Sequence, residues 1–173
     1  MQALSWRGQR GVGARRVPAL SLSRIAPDQQ GAINALILRS KAHWGYDAAM
    51  MAIMEQVLRL DPAAAEAGRA VAAWTAGGPA GVVQISEPYS DERGRALELD
   101  LLFIAPEAIG TGLGRRLYDW ALDQARAADA VRLEILSDPF ARPFYTAMGA
   151  TFIEDRPSRL IPGRALPWLE HRL

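Results

Sequence analysis

The sequence predicts an α+β fold: one mixed, mostly antiparallel central sheet of six to seven strands flanked by helices. Three observations carry this reading. Leu97, Leu99, Leu101 and Phe103 alternate with Glu98, Asp100, Leu102 and Ile104, the period of a strand whose second face begins polar and ends apolar. Pro106 stops that strand, Gly110, Gly112 and Gly114 follow at alternate positions, and Leu113, Leu117, Ala121, Ala125 and Ala128 then recur at helical spacing. Two helical patterns and an antiparallel hairpin precede this unit, and a strand, a helix and two further strands follow it.

Taken in order, residues 19–25 alternate apolar and polar side chains as a first strand, and Pro27-Asp28 opens a helix that presents Ile33, Leu36, Ile37 and Ser40 on one face. That helix breaks near Gly45. Asp47 is placed to cap a second helix, whose Met50, Met51, Met54, Val57 and Leu58 form an apolar stripe read as core. Ala70 to Trp74 and Gly81 to Ser86 pair across a Gly77-Gly78 turn, and the charged stretch from Pro88 to Gly94 reads as a loop into the central strand. Val131 to Leu136 and Thr151 to Glu154 are strands with a helix between them. Pro157, Pro162 and Pro167 make the end of the chain a long bent connection with a short last strand at Leu169 to Arg172. Within it, Ile161 to Pro167 is read as a surface loop; the alternative is that it folds over the site and Arg164 meets an acidic group.

Composition narrows the function. With 173 residues, half of them hydrophobic, the chain suits one domain, assigned to 18–173. Residues 1–17 hold Arg7, Arg10, Arg15 and Arg16 without an acid and read as a disordered basic tail. The rest keeps 16 of the 20 basic groups against 19 acidic ones, a net −3, so nucleic-acid binding has little electrostatic support. Zero cysteines exclude disulfides, thiolate metal sites and a cysteine nucleophile. No apolar run is long enough for a membrane span, His43 and His171 are too far apart in sequence to suggest a metal, and a cytoplasmic location is expected.

The glycines sit where a helix begins. The first turn of a helix leaves backbone N–H groups unpaired at the positive end of the dipole, and residues without side chains let an anion reach them. Arg115 and Arg116 add charge. A P-loop is excluded because no Gly-Lys-Ser/Thr follows. A dinucleotide fingerprint would need glycine at Arg115, and only Glu134, about 20 residues downstream, speaks for it.

Ile104-x-Pro-Glu-x-x-Gly-x-Gly-Leu-Gly with its helix resembles the acyl-coenzyme-A loop of the GCN5-related N-acetyltransferases (GNAT), and Asp138-Pro-Phe-Ala-Arg-Pro-Phe-Tyr-Thr-Ala-Met-Gly149 resembles that family's later motif. The resemblance implies a GNAT-like sheet splayed between its fourth and fifth strands, with acetyl-CoA as co-substrate and no metal. It implies cofactor contacts from Leu102, Phe103 and Ile104 to the pantetheine arm, from Gly110, Thr111, Gly112, Leu113, Gly114 and Arg115 to the pyrophosphate, and from Asp138 and Phe144 beside the thiol. Ile109, Asp138 and Ala150 depart from the family pattern, which has Arg or Gln, Asn and an aromatic there.

Transfer to an amine needs a base and an acid. Glu98 and Asp100, two apart on one strand, point to one side and can take the amine's proton. Tyr145 occupies the motif position of the family's general acid. The polar-aromatic loop holding His43, Trp44 and Tyr46, beside the sole lysine Lys41, reads as the acceptor wall. The acidic body and these carboxylates favour a cationic amine, small or peptidic, and the resemblance allows a homodimer. Two alternatives stand beside the N-acetyltransferase: an acyl-CoA-binding regulatory module without catalysis, and a nucleotide-binding oxidoreductase domain.

Overall fold

The computed structural model describes residues 20–159 and 161–173. The expected tail at 1–17 and the predicted strand start at residue 19 lie outside these residues. After β1 (Leu22–Arg24) and a 3-10 turn at Pro27–Gln29 come α1 (Gln30–Ala42), α2 (Ala48–Val57) and α3 (Pro62–Glu66). Then follow β2 (Ala70–Thr75), β3 (Gly78–Ile85), β4 (Tyr89–Asp91) and β5 (Gly94–Ile104). The remainder comprises α4 (Leu113–Ala127), β6 (Arg132–Leu136), α5 (Arg142–Ala147), β7 (Thr151–Pro157) and β8 (Ala165–Arg172). Asp47 caps α2 by accepting the Met50 amide at 2.8 Å, as its position before the apolar stripe predicts.

The strands form one sheet in the order β1-β2-β3-β5-β6-β8-β7, with β4 on β5. Every pairing is antiparallel except β5 with β6, which the α4 crossover makes parallel. That parallel ladder covers only Ala96 to Glu98 against Arg132 to Glu134. Beyond Glu98 the two strands part, and β5 keeps only its β3 ladder as far as Ile104. This is the expected splay.

The helices cover both faces. Gly81 pairs with Ile104 and Val82 with Phe103, so these neighbours point to opposite sides. A Cβ on Gly81 would lie 2.8 Å from Leu117 Cδ1 of α4, whereas Lys41 of α1 approaches the Phe103 ring. Here glycine is what lets α4 sit close to the sheet. Ile33, Leu36 and Ile37 from α1 and Leu113, Leu117 and Ala121 from α4 are all buried against the strands.

Four expectations are corrected. The 88–94 stretch contains β4, a three-residue hairpin partner of β5; its polar sequence hides it, since Asp91 and Arg93 are committed to ion pairs with Arg132 and with Glu134 and Glu170. The last two strands are longer than expected because β8 reaches back through Pro167. At that residue β8 has run past the last β6 pairing, Leu136 with Trp168, and a strand edge tolerates proline. The alternation of β5 is not uniform either: Ile85 faces Leu99 and Gln84 faces Leu101, so Asp100 is an extra residue in a bulge. Finally, of the α2 stripe only Met54 is fully buried, and Met54, Val57 and Leu58 also line the cleft described below.

Candidate active site

A cleft of about 710 Å³ runs along the parting between β5 and β6. Its first end is the glycine turn. Gly110 and Gly112 have φ of +81° and +86°, left-handed values that side chains disfavour, and Gly112 is the residue from which α4 starts. Among the described residues, the amides of Gly110, Gly112, Leu113, Gly114 and Arg115 have no protein acceptor; the first helical bond comes from Arg116 to the Gly112 carbonyl. Gly110, Gly112, Gly114 and Arg115 line the cleft. Leu113 turns its side chain into the core and offers only its amide. Thr111 differs from expectation, since its amide and its hydroxyl both bond the Ala108 carbonyl.

Leu102, Phe103 and Ile104 form the middle wall. With β6 gone after Glu98, the backbone groups on the edge of β5 away from β3 are left open to the cleft. Phe144 and Tyr145 close the floor, with their rings in edge contact at 5.2 Å and Phe144 packed on Gly114. Tyr145 is 6% exposed, and burial pushes its phenol well above the ordinary range, so it stays protonated. Among the described residues its hydroxyl has no hydrogen-bond partner.

Both strand carboxylates line the cleft, with different partners. Glu98 is held by Arg159 through two bonds of 2.7 Å. Asp100 accepts from the Gln84 amide at 3.1 Å, and Gln84 is itself oriented by accepting the Asp61 amide at 2.9 Å. Partial desolvation by the cleft walls, the largest cause, and the Glu98 charge outweigh that hydrogen bond and raise the Asp100 carboxyl above its ordinary value.

Asp138 lines the cleft with both carboxylate oxygens engaged by neighbouring groups. Its Oδ1 accepts the Phe140 amide at 2.9 Å, and its Oδ2 accepts from Lys41 at 2.5 Å, Tyr46 at 2.6 Å and Arg164 at 3.2 Å. The Ile161 to Pro167 segment therefore folds over the site, and the surface-loop reading is overturned: Ile161, Arg164 and Leu166 line the cleft. Trp44 stacks on Phe140 at 5.6 Å on the rim, and both rings are about half exposed. His43 packs edge-on against Trp44 and is not among the lining residues. Glu134, the residue a dinucleotide site would have used, is buried in ion pairs with Arg93 and Arg132.

Sequence reasoning missed Arg159, Gln84 and Phe140, and set Lys41 only beside the site. No local pattern marks the first two, because their partners lie 61 and 16 residues away. The pairing of Lys41 with Asp138 had one available sign, an acid where the resembled motif has an amide.

Comparison with known proteins bears on the family and the fold. Residues 26–159 match the family model described as an acetyltransferase (GNAT) domain. A GCN5-related N-acetyltransferase structure from Rhodopseudomonas palustris is 18% identical with a TM-score of 0.71, covering 93% of this chain and 100% of that one. A Thermoplasma acidophilum PaiA N-acetyltransferase in complex with coenzyme A is 10% identical with a TM-score of 0.71, covering 90% and 99%. YncA from Salmonella typhimurium, solved with its cofactor acetyl-CoA, is 16% identical with a TM-score of 0.60, covering 88% and 93%. No curated protein matches.

Proposed function

Because the chain belongs to the acetyltransferase (GNAT) domain family, we propose that it transfers an acetyl group from acetyl-CoA to a primary amine by direct attack. One observation carries the reading: open amides at the start of α4 stand at one end of a cleft whose floor is Tyr145. A diphosphate fits that end, since the two left-handed glycines leave the amides uncovered and Arg115 adds a cation. Coenzyme-A-bound relatives of the same fold support it.

Acetyl-CoA supplies the activated acyl group. The amides of residues 112–115 would hold its diphosphate, and the open edge of β5 at 102–104 its amide-bearing arm. Ile109 stands exposed at the rim and offers no polar contact there. Asp100, whose carboxyl is raised above its ordinary value, would accept the proton of the attacking amine, directly or through one water. Glu98 is less free because Arg159 occupies both its oxygens. The Tyr145 phenol, kept protonated by burial, would give its proton to the departing sulfur.

The test is thiol release from acetyl-CoA on offering amines, with binding of acetyl-CoA followed separately. Turnover supports the transferase. Tight binding with no thiol release across a broad amine panel would instead assign a regulatory acyl-CoA-binding module, and preference for NAD would remove both.

A further inference from the structure

Around Asp138 the charges of the cleft do not suit the cationic acceptor that the acidic composition favours, although Asp100 elsewhere in the cleft has no cation partner among the described residues. Glu98 is neutralised by Arg159, and the balance around Asp138 is tipped the other way. Lys41, Arg164 and the Tyr46 hydroxyl converge on one oxygen of that carboxylate, Oδ2. The Lys41, Asp138 and Arg164 side chains are only 10%, 12% and 14% exposed. Among the described residues no second carboxylate contacts either cation. A positive charge held out of water is costly unless an anion meets it, and both cations line the cleft.

Two further features narrow the ligand. The Arg164 guanidinium lies against Met50, and Met54 and Val57 of the same helix, with Leu58 just past its end, present an apolar wall to the cleft. Lys41 Nζ is 5.7 Å from the centre of the Phe103 ring, which belongs to the wall assigned to the arm of acetyl-CoA. An anion at Lys41 therefore sits close to the reacting end, leaving room for only a short spacer between it and the amine.

We infer that Lys41 and Arg164, the latter oriented by the Tyr46 hydroxyl, form a carboxylate pocket, so that the acceptor is an α-amino acid with an apolar side chain. The inference rests on the acetyl transfer proposed above for the direction in which the amine faces. Burial, the larger cause, and the Arg164 charge lower the Lys41 pKa despite Asp138, and a second carboxylate beside Lys41 would oppose that shift.

The experiment compares L-leucine with L-leucinamide and spermidine on the full chain, by thiol release and by calorimetric binding. L-leucine should have a kcat/KM higher than either by roughly tenfold or more, since a pocket built for a charged group rejects analogues lacking it. Arg164→Gln should raise the KM for L-leucine by a similar factor and leave that for L-leucinamide nearly unchanged. If the amide or the polyamine binds and reacts as well as L-leucine in the unmodified chain, the pocket is refuted whatever the variant does. If no amine releases thiol, the acetyl-transfer reading fails, and calorimetry decides the pocket separately: selective binding of L-leucine supports it, and equal or absent binding overturns it.

Discussion

Lys41 and Asp138, 97 positions apart, meet at 2.5 Å across the cleft, joining the end of α1 to the turn that follows β6. This contact ties together the two halves of the sheet on either side of the splay.

Asp138 should therefore matter for stability, and in a defined pH window. Desolvation raises its pKa, but the Lys41 charge and the hydrogen bonds from Lys41 and Tyr46 outweigh it and the net shift is downward. The folded state thus binds this proton less readily than the unfolded chain. The stabilisation is present above the ordinary carboxylate value of about 4 and is lost as pH falls through the lower folded value. Asp138→Asn leaves two cations facing no anion and should cost about 3 kcal/mol at pH 7 by denaturant unfolding. The gap between wild type and variant should close in acid; a gap independent of pH would show that the charge is not responsible.

Gly112 separates backbone strain from ligand access. A Cβ there meets no protein atom within 4 Å, yet φ is +86°, so Gly112→Ala should lose roughly 1–2 kcal/mol of stability through conformation alone. It should also raise the KM for acetyl-CoA severalfold while the acceptor KM moves little. An unchanged acetyl-CoA KM would mean that no anion approaches these amides.

Acid and base leave different signatures. With its pKa raised, Asp100 becomes a competent base only as pH climbs past a point above the ordinary carboxylate value, so kcat/KM should fall on the acid side of that point. Asp100→Asn should lower kcat by roughly a hundredfold and remove this limb, whereas Glu98→Gln should keep it. Tyr145→Phe should lower kcat by roughly tenfold or more with KM little changed. A Tyr145→Phe enzyme with full turnover would leave that ring a packing residue against Phe144 and Tyr118.

Trp44 tests the acceptor side. Removing its ring breaks the stack on Phe140, so Trp44→Ala should raise the acceptor KM more than that of acetyl-CoA. Equal effects on both would place the pair outside the acceptor path.

By itself the sequence determined the features whose physics is local. Apolar periodicity built α1, β5 and α4. The Pro106 stop and left-handed glycines set the turn before α4. Asp47 capped α2 because a cap needs only the amide three residues on. Only the tertiary structure decided which side chains share the cleft. Arg159 reaches Glu98 from 61 residues away, and Arg164 reaches Tyr46 from 118. The bulge that makes Asp100 an extra residue appears only when β5 is laid against β3. Charge pairing in a cleft depends on distance and desolvation, and both are set by how the sheet parts and which loops close over it rather than by spacing along the chain.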